Sequence, residues 1–143
     1  MSKKIEVRNQ SELEDALAAG GIAVCVEGEL ALEARGTDAP RLIVLGGASV
    51  KVVALEDSRP YIEAREGSRP SVEARDESRP NIWAWESSRP SVEARESSRP
   101  NIWACGSSRP RVWAREDSRP YVEARDESRP RIESWDESRP RIE

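Results

Sequence analysis

A ten-residue unit repeats along most of this chain, and this repetition constrains the fold more than any other feature. The tripeptide Ser-Arg-Pro recurs every ten residues from Ser58 to Pro140, without an insertion or a deletion. Less regular copies extend back towards Gly21, and Ile22 and Val24 fit the apolar pair of the unit. A unit this short cannot bury an apolar face alone, so successive copies must stack into a solenoid.

Each unit contains one short β-strand. A β-branched or leucine residue is followed two positions later by alanine or serine, as in Val92 and Ala94, which places both side chains on one face of a strand. Glu93 and Arg95 then point to the opposite face, towards water. A proline every ten residues excludes a continuous helix, and we expect Ser-Arg-Pro and the pair before it to form the corner. The sequence therefore predicts an all-β, tandem decapeptide-repeat parallel β-solenoid.

A second period indicates how many units make one coil. Segments 81–84 and 101–104 both read Asn-Ile-Trp-Ala, and segments 71–75 and 91–95 both read Ser-Val-Glu-Ala-Arg, a period of twenty residues. Two units per coil predict two parallel sheets that face each other across an interior about 10 Å thick. A ten-residue coil and a thirty-residue triangular coil stay open as alternatives, because duplication of a segment also produces a period of twenty.

The first twenty residues differ in kind from the repeat. We expect residues 1–20 to form a cap on the solenoid of residues 21–143, beginning with a short strand. The capping-box pattern of Ser11 with Glu14, followed by glycines at 20 and 21, predicts a helix over 11–19.

Four apolar residues occupy positions that carry Glu and Arg in later units, and something should cover them. We expect the helix to cover them. The predicted cap contacts are Leu13 and Leu17 of the helix with Ile43, Leu45, Val53 and Leu55 of the solenoid. A homodimer partner is the alternative cover.

Composition argues against catalysis. The chain has no histidine, which removes Ser-His and Cys-His pairs and the common zinc sites. Cys25 and Cys105 lie eighty residues apart, a separation that matches neither a metal motif nor a disulfide framework. We therefore expect a protein that is not an enzyme and has no cofactor.

Charge and hydropathy limit the partners. The 27 acidic and 23 basic residues alternate finely, with a net charge of -4, which argues against nucleic acid as a partner. No apolar run is long enough for a signal peptide or a membrane span. The expectation is a cytoplasmic protein with no membrane partner.

Tryptophan replaces a charged residue at five outward positions, where exposed indoles usually have a partner. With twenty residues per coil, Trp83 and Trp103 lie on adjacent coils, with Trp85 and Cys105 beside them. The chain also ends in an uncapped C-terminal edge. The predicted interface residues, from the tryptophans and from this edge, are Trp83, Trp85, Trp103, Trp113, Trp135, Arg141 and Ile142. An aromatic ladder that only stabilises the strands and a carbohydrate-stacking surface are the alternatives.

The plan resembles other short-repeat β-solenoids, such as pentapeptide-repeat proteins and calcium-binding nonapeptide rolls, but the Ser-Arg-Pro motif matches neither family. The predicted function is a non-catalytic structural scaffold that self-associates as a homo-oligomer. A module that recognises another protein or a glycan is the alternative. A disordered chain is a third possibility, because high charge and regular proline are also typical of disorder.

Overall fold

The computed structural model describes residues 3–36, 39–135 and 138–142 and shows a parallel β-solenoid of about seven turns, with about twenty residues per coil. The elements are β1 (Lys4–Val7), α1 (Gln10–Ala18), β2 (Ile22–Cys25), β3 (Gly28–Ala34), β4 (Arg41–Val44), β5 (Ala48–Ala54), β6 (Tyr61–Ala64), β7 (Ser71–Ala74), β8 (Asn81–Ala84), β9 (Ser91–Ala94), β10 (Asn101–Ala104), β11 (Arg111–Ala114), β12 (Tyr121–Ala124), β13 (Arg131–Ser134) and β14 (Arg141–Ile142).

Two sheets make up the solenoid. The eight-stranded sheet has the order β1-β2-β4-β6-β8-β10-β12-β14, and the six-stranded sheet has the order β13-β11-β9-β7-β5-β3. Consecutive repeats alternate between the sheets, so residues twenty apart pair in register, as Val92 does with Val72. The two-unit coil is confirmed, and the ten-residue and thirty-residue coils are excluded.

The interior is narrow and filled by branched aliphatic and alanine side chains. Val92 and Ala94 of the six-stranded sheet are fully buried, as are Ile102 and Ala104 of the eight-stranded sheet. Full burial of each Val or Ile contributes roughly 1.5–3 kcal/mol relative to exposure. Because every unit repeats this pair, the apolar core is continuous along the axis of the solenoid.

The turn occupies only the first part of the predicted corner, the pair before Ser-Arg-Pro. Glu96 and Ser97 have φ values of 49° and 62°, in the left-handed region, and they turn the chain. Ser98 is fully buried, and its carbonyl accepts a hydrogen bond from the Arg119 N–H at 2.9 Å. The Ser-Arg-Pro tripeptide is therefore extended backbone that continues the stacking, and the preceding pair forms the turn. The left-handed conformation destabilises a residue that has a Cβ by roughly 1–2 kcal/mol. Gly67 stands at the position equivalent to Ser97 and avoids this cost.

The first coil is one residue shorter than the later ones. Ile22 pairs with Arg41, nineteen positions along the chain, and Ala23 pairs with Leu42. Ala23 and Cys25 are therefore the buried pair of β2, and the expectation that Ile22 and Val24 point inward is wrong. A slip of one residue moves every side chain of a strand to its other face.

Helix α1 begins one residue earlier than predicted, because Asn9 is its N-cap and Ser11 is not. The Asn9 side chain accepts a hydrogen bond from the Glu12 N–H at 2.9 Å, and the Glu12 carboxylate accepts one from the Arg8 N–H at 2.8 Å. These bonds satisfy backbone donors that a helix start leaves free. Gly20, with φ 75°, follows the helix, as the sequence predicts.

The N-terminal segment closes that end of both sheets. Strand β1 is the first strand of the eight-stranded sheet. On the six-stranded sheet the Gln10 side-chain amide donates to the Ala31 carbonyl at 2.8 Å and accepts from the Ala31 N–H at 2.9 Å. The amide thus takes the place of a neighbouring strand at the β3 edge, where unpaired backbone groups would otherwise invite association.

The predicted cap contacts lie on the helix and on both outer faces of the solenoid. Leu13 is fully buried and Leu17 is partly buried against the core, and α1 packs on β1, β2 and β3. The half-buried outward residues form one pair on each outer face, with Ile43 and Leu45 on the eight-stranded sheet and Val53 and Leu55 on the six-stranded sheet. Contact of the helix with these two outward pairs stays a prediction.

Candidate functional site

The outer face of the eight-stranded sheet, which we call the tryptophan face, arranges its side chains in columns along the solenoid. When the residues of a unit are counted from the first residue of its strand, the third and fifth residues of every second unit form two neighbouring columns on this face. Read pairwise by coil, they are Ile43 and Leu45, Glu63 and Arg65, Trp83 and Trp85, Trp103 and Cys105, and Glu123 and Arg125. The two columns change together, apolar beside apolar and acid beside base.

Three indoles lie at the centre of this face. The ring centroids of Trp83 and Trp103 are 4.6 Å apart with planes 14° from parallel, and those of Trp83 and Trp85 are 5.9 Å apart. All three side chains are half-buried. The Trp85 Nε1 atom is buried without a hydrogen-bond partner among the described residues. The indoles form a compact apolar patch, as the twenty-residue period predicts for Trp83 and Trp103.

Ion pairs flank the indoles on both sides. The Arg65 Nε donates to the Glu63 carboxylate at 2.9 Å, and the Arg125 Nε lies 3.2 Å from the Glu123 carboxylate. The hydrogen bond with Glu63 raises the pKa of Arg65. Each flanking coil is therefore neutral at these two positions.

The first residues of the strands form a third column beside the indoles, and the order of residue types in it is the same in both directions along the solenoid. Asn81 and Asn101 are joined at the centre by a side-chain hydrogen bond of 3.2 Å. On one side the Arg41 guanidinium lies 5.6 Å from the Tyr61 ring, and on the other side Arg141 lies 5.9 Å from the ring of Tyr121. The order Arg, Tyr, Asn, Asn, Tyr, Arg makes this one column symmetric about its middle.

The five tryptophans do not form one patch. Trp113 and Trp135 lie on the outer face of the six-stranded sheet, away from the other three. Trp135 is 43% exposed, and the Arg115 guanidinium lies 4.9 Å from its ring. The predicted tryptophan interface therefore divides between two opposite faces.

The C-terminal edge was the other predicted interface. Arg141 and Ile142 form β14, which pairs with β12, and Ile142 is 55% exposed. The nearby residues 136, 137 and 143 lie outside the described part of the chain. Association through this edge stays a prediction.

The two edges of the solenoid differ in their number of acids, although each edge also carries a row of exposed arginines. The corners that follow the six-stranded sheet carry a row of exposed acids, which we call the acidic ridge: Glu56, Asp57, Asp76, Glu77, Glu96, Glu116 and Asp117. A hydrogen bond between the carboxyl groups of Asp76 and Glu96, with burial and mutual repulsion, raises the pKa of Glu96. Exposed arginines, Arg79 and Arg99 among them, follow these acids within three residues, so the ridge lies beside positive charge.

The opposite edge carries fewer acids. Gly67, Ser87 and Ser107 stand where the ridge has Asp57, Glu77 and Asp117. Beside them an open groove on the six-stranded sheet is lined largely by arginine. We call the exposed guanidinium groups there the arginine strip, formed by Arg69, Arg89, Arg109, Arg111 and Arg129. Sequence reasoning missed this difference in acid content because it compared corners that are adjacent in sequence, and consecutive corners lie on opposite edges.

The two thiols are poor nucleophiles in this setting. Burial raises the pKa of Cys25 to about 11, and burial also raises the pKa of Cys105. The thiolate is the reactive form, so both cysteines are largely protonated at neutral pH. Among the described residues, no group of histidine, cysteine and carboxylate side chains could hold a metal ion. The described part of the chain contains no helix that is long and apolar enough to cross a membrane.

Comparisons with protein-family models, with curated proteins and with solved structures found no match to this chain.

Proposed function

We propose that this protein is a non-catalytic structural scaffold that self-associates through the tryptophan face. The observation that carries the proposal is the joint variation of its two outer columns. Tryptophan stands beside tryptophan, Ile43 beside Leu45, and glutamate beside arginine.

A two-fold axis parallel to the solenoid and lying between the columns exchanges them. The third residue of each unit then faces the fifth residue of the equivalent unit in a second copy. Glu63 meets Arg65, Trp83 meets Trp85, and Ile43 meets Leu45. Such an isologous contact uses one patch on both copies. Every coil of the face would find a complementary coil, with aromatic anchors at the centre and charged pairs around them.

The opposite outer face is less suited to the same contact. Glu73 with Arg75 and Glu93 with Arg95 are matched pairs there, but Trp113 stands beside Arg115. A two-fold contact on that face would not place indole against indole. The proposal therefore concerns the eight-stranded sheet only.

The size of the face sets the strength of the contact. Eight strands about 4.8 Å apart extend roughly 34 Å, and a face about 15 Å wide buries about 1,000 Å² in total from two copies. This area is at the low end for specific interfaces. A dimer that dissociates on dilution is the expected form.

Sedimentation velocity over a range of concentrations tests the proposal. The wild-type chain should move from monomer to dimer as its concentration rises. Trp83→Glu combined with Trp103→Glu should stay monomeric, because unpaired carboxylates would then be buried against Trp85 and Cys105 of the second copy. Trp113→Glu is the matched control, since it makes the same exchange at the same position of the unit on the other face, and it should behave as wild type.

Two results would count against the proposal. One is a wild-type chain that stays monomeric at every concentration while circular dichroism shows β-structure. The other is equal loss of association in the Trp113→Glu control. Recognition of a glycan would instead be supported if the wild-type chain is monomeric and binds a polysaccharide matrix, and if the Trp83→Glu variant does not bind it.

A further inference from the structure

We infer that the outer face of the six-stranded sheet contains a binding site for a neutral oligosaccharide, with Trp113 as its stacking platform. The site is a trench between columns of side chains, and we call it the serine trench because Ser71 and Ser91 form its floor. It lies on the face opposite to the tryptophan face. The site is therefore separate from the proposed self-association and uses none of its residues.

Side-chain length defines the shape of the serine trench. The first residues of neighbouring strands on this face pair in register, in the order Lys51, Ser71, Ser91 and Arg111. Two short side chains therefore lie between two long ones. Lys51 and Arg111 are three strand spacings apart, about 14 Å. The column is thus low in the middle and high at both ends, a shape that holds a short extended ligand.

Two open hollows share Ser91 and together make up the trench. The hollow towards the arginine strip measures about 330 Å³, and it is lined by Arg69, Arg89, Ser91, Arg109 and Arg111. The other hollow measures about 310 Å³, and it is lined by Lys51, Ser71, Val72, Glu73, Ser91, Glu93 and Trp113. Volumes of this order are typical of sites for small ligands.

Hydrogen-bond donors form one wall of the trench. Arg69, Arg89 and Arg109 are exposed, and they form no ion pair with any residue in the described ranges. Their guanidinium groups are therefore available to donate to a ligand. The hydroxyl groups of Ser71 and Ser91 lie beside this wall, and each can donate or accept a hydrogen bond.

Hydrogen-bond acceptors form the opposite wall. Arg75 and Arg95 donate to the Oε1 atoms of Glu73 and Glu93, at 2.9 and 2.6 Å. The Oε2 atom of each carboxylate forms no hydrogen bond within the described part of the chain, so it stays available as an acceptor. A wall of donors opposite a wall of acceptors suits sugar hydroxyl groups, because each hydroxyl both donates and accepts.

The mixed charge around the trench favours a neutral ligand. The exposed acids Glu66, Glu86 and Asp126 stand beside the arginine strip, and Glu73 and Glu93 line the trench itself. These carboxylates oppose the field of the arginines, so a polyanion gains little from long-range attraction. A neutral polyhydroxyl ligand instead uses the donors and acceptors one by one and needs no excess of either charge.

An unstacked indole lies at one end of the trench. Trp113 stands between Glu93 and Glu133 of the adjacent strands, and open hollows border it on both of these sides. The guanidinium of Arg115 lies over Trp135, whereas no ring or guanidinium in the described ranges stacks on Trp113. The C–H face of a sugar ring packs on the negative face of an indole. Trp113 therefore favours a sugar over other neutral polar ligands.

A sugar fits the trench better than an extended peptide does. A peptide that adds to a sheet pairs with an open strand edge. The trench lies on the face of the sheet, where β7, β9 and β11 pair with one another, so it offers side chains and not a free edge. A nucleic acid also stacks its bases on aromatic side chains, and it is therefore an outcome to be tested.

Affinity gel electrophoresis tests the inference, with each gel containing dextran, mannan, xylan or a soluble β-glucan. The wild-type chain runs beside a background variant that carries Trp83→Glu and Trp103→Glu, in which the tryptophan-face contact is removed. At least one of these neutral polysaccharides should slow both proteins to a similar extent. The dependence of migration on polysaccharide concentration gives the dissociation constant.

Variants of the trench are made in that background. Ser91→Arg fills the floor with a side chain that Arg111 and Arg131 already supply at the equivalent position of the face, so the fold should tolerate it. Ser91→Arg and Trp113→Ala should each raise the dissociation constant about tenfold, with an unchanged circular dichroism spectrum. Trp113→Tyr should recover most of the loss, because it keeps an aromatic face. Asn81→Arg is the matched control on the eight-stranded sheet and should bind as the background does.

Four results would overturn the inference. No polysaccharide slows the wild-type chain, both trench variants bind as the background does, or the background loses the binding of the wild-type chain. The fourth is binding of a single-stranded oligonucleotide without binding of any of the polysaccharides, which would assign the trench to nucleic acid.

The gels and the sedimentation experiment fail independently. A dimer that is not slowed by any polysaccharide supports the tryptophan-face contact alone. A monomer that is slowed, and that loses the effect through Trp113→Ala but not in the Trp83→Glu, Trp103→Glu background, supports the serine trench alone.

Discussion

Buried serine hydroxyls are the least expected feature at the scale of single residues. Seven serines of the Ser-Arg-Pro tripeptides are at most 1% exposed, and their hydroxyl oxygens have no hydrogen-bond partner among the described residues. The list is Ser58, Ser68, Ser78, Ser88, Ser98, Ser108 and Ser118. A buried hydroxyl without a partner costs about 1–3 kcal/mol. A small side chain suits the narrow interior, but nothing in the structure explains the hydroxyl group itself.

Replacing one of these hydroxyls should stabilise the protein. Ser98→Ala is expected to raise the free energy of unfolding by about 1 kcal/mol, because it removes a desolvated polar atom and hardly changes the volume. Urea denaturation followed by circular dichroism measures the change. Ala94→Ser, four residues away and equally buried, is the matched control and should lower the free energy by a similar amount. A clear loss of stability in Ser98→Ala would mean that the hydroxyl has a partner.

Residue patterns predicted which side chains face inward wherever the unit is regular. The alternation that places Val92 and Ala94 inside follows from strand geometry, and it is confirmed. The same rule was wrong for Ile22 and Val24, because the first coil is shorter by one residue and nothing in the local sequence marks the deletion. The left-handed corner was missed as well, since few residues other than glycine have a positive φ, and glutamate is not among those that favour it.

At the scale of strands, the columns on the outer faces carry information that a single unit does not. Sequence reasoning found that Trp83 and Trp103 are neighbours, because the period of twenty places them on adjacent coils. It placed Trp113 and Trp135 in the same interface, whereas consecutive units belong to opposite sheets. The pairing of the third and fifth columns becomes visible only when residues are read down a face.

The paired columns predict a charge exchange with rescue. Glu63→Arg should weaken the dimer severalfold, because the new arginine would face Arg65 of the second copy. Glu63→Arg combined with Arg65→Glu should restore the wild-type dissociation constant, since the two-fold contact exchanges the columns. Sedimentation equilibrium measures the constant.

The matched control for this exchange is Glu73→Arg, which makes the same change on the six-stranded sheet. It should leave dimerisation unchanged. If the double variant associates no better than Glu63→Arg alone, the columns do not face each other, and the proposed two-fold arrangement is wrong.

At the scale of the whole molecule, stability depends on stacking. Each coil contributes a thin layer of Ile, Val and Ala side chains, and almost all of its hydrogen bonds run to the coils on either side. A solenoid of this kind has no central core apart from these contacts between neighbours. The N-terminal segment closes one end, with Gln10 occupying the β3 edge. The remaining surface, with its columns and edges, is where association would occur.

The central claim is that one coil contains two units, with consecutive units on opposite faces. Disulfide formation between introduced cysteines tests it most directly, in a chain with Cys25 and Cys105 changed to alanine. Ser71 and Ser91 pair on adjacent strands, about 4.8 Å apart, within the 4.4–6.8 Å range of Cα separations that a disulfide bridges. Ser91 and Asn101 are only ten residues apart in sequence but lie on opposite outer faces.

Under mild oxidation at low protein concentration, Ser71→Cys with Ser91→Cys should form an internal disulfide, visible as faster migration on a non-reducing gel. Ser91→Cys with Asn101→Cys should stay reduced under the same conditions, because the solenoid interior separates its thiols. An internal disulfide in the second pair and none in the first would contradict the twenty-residue coil.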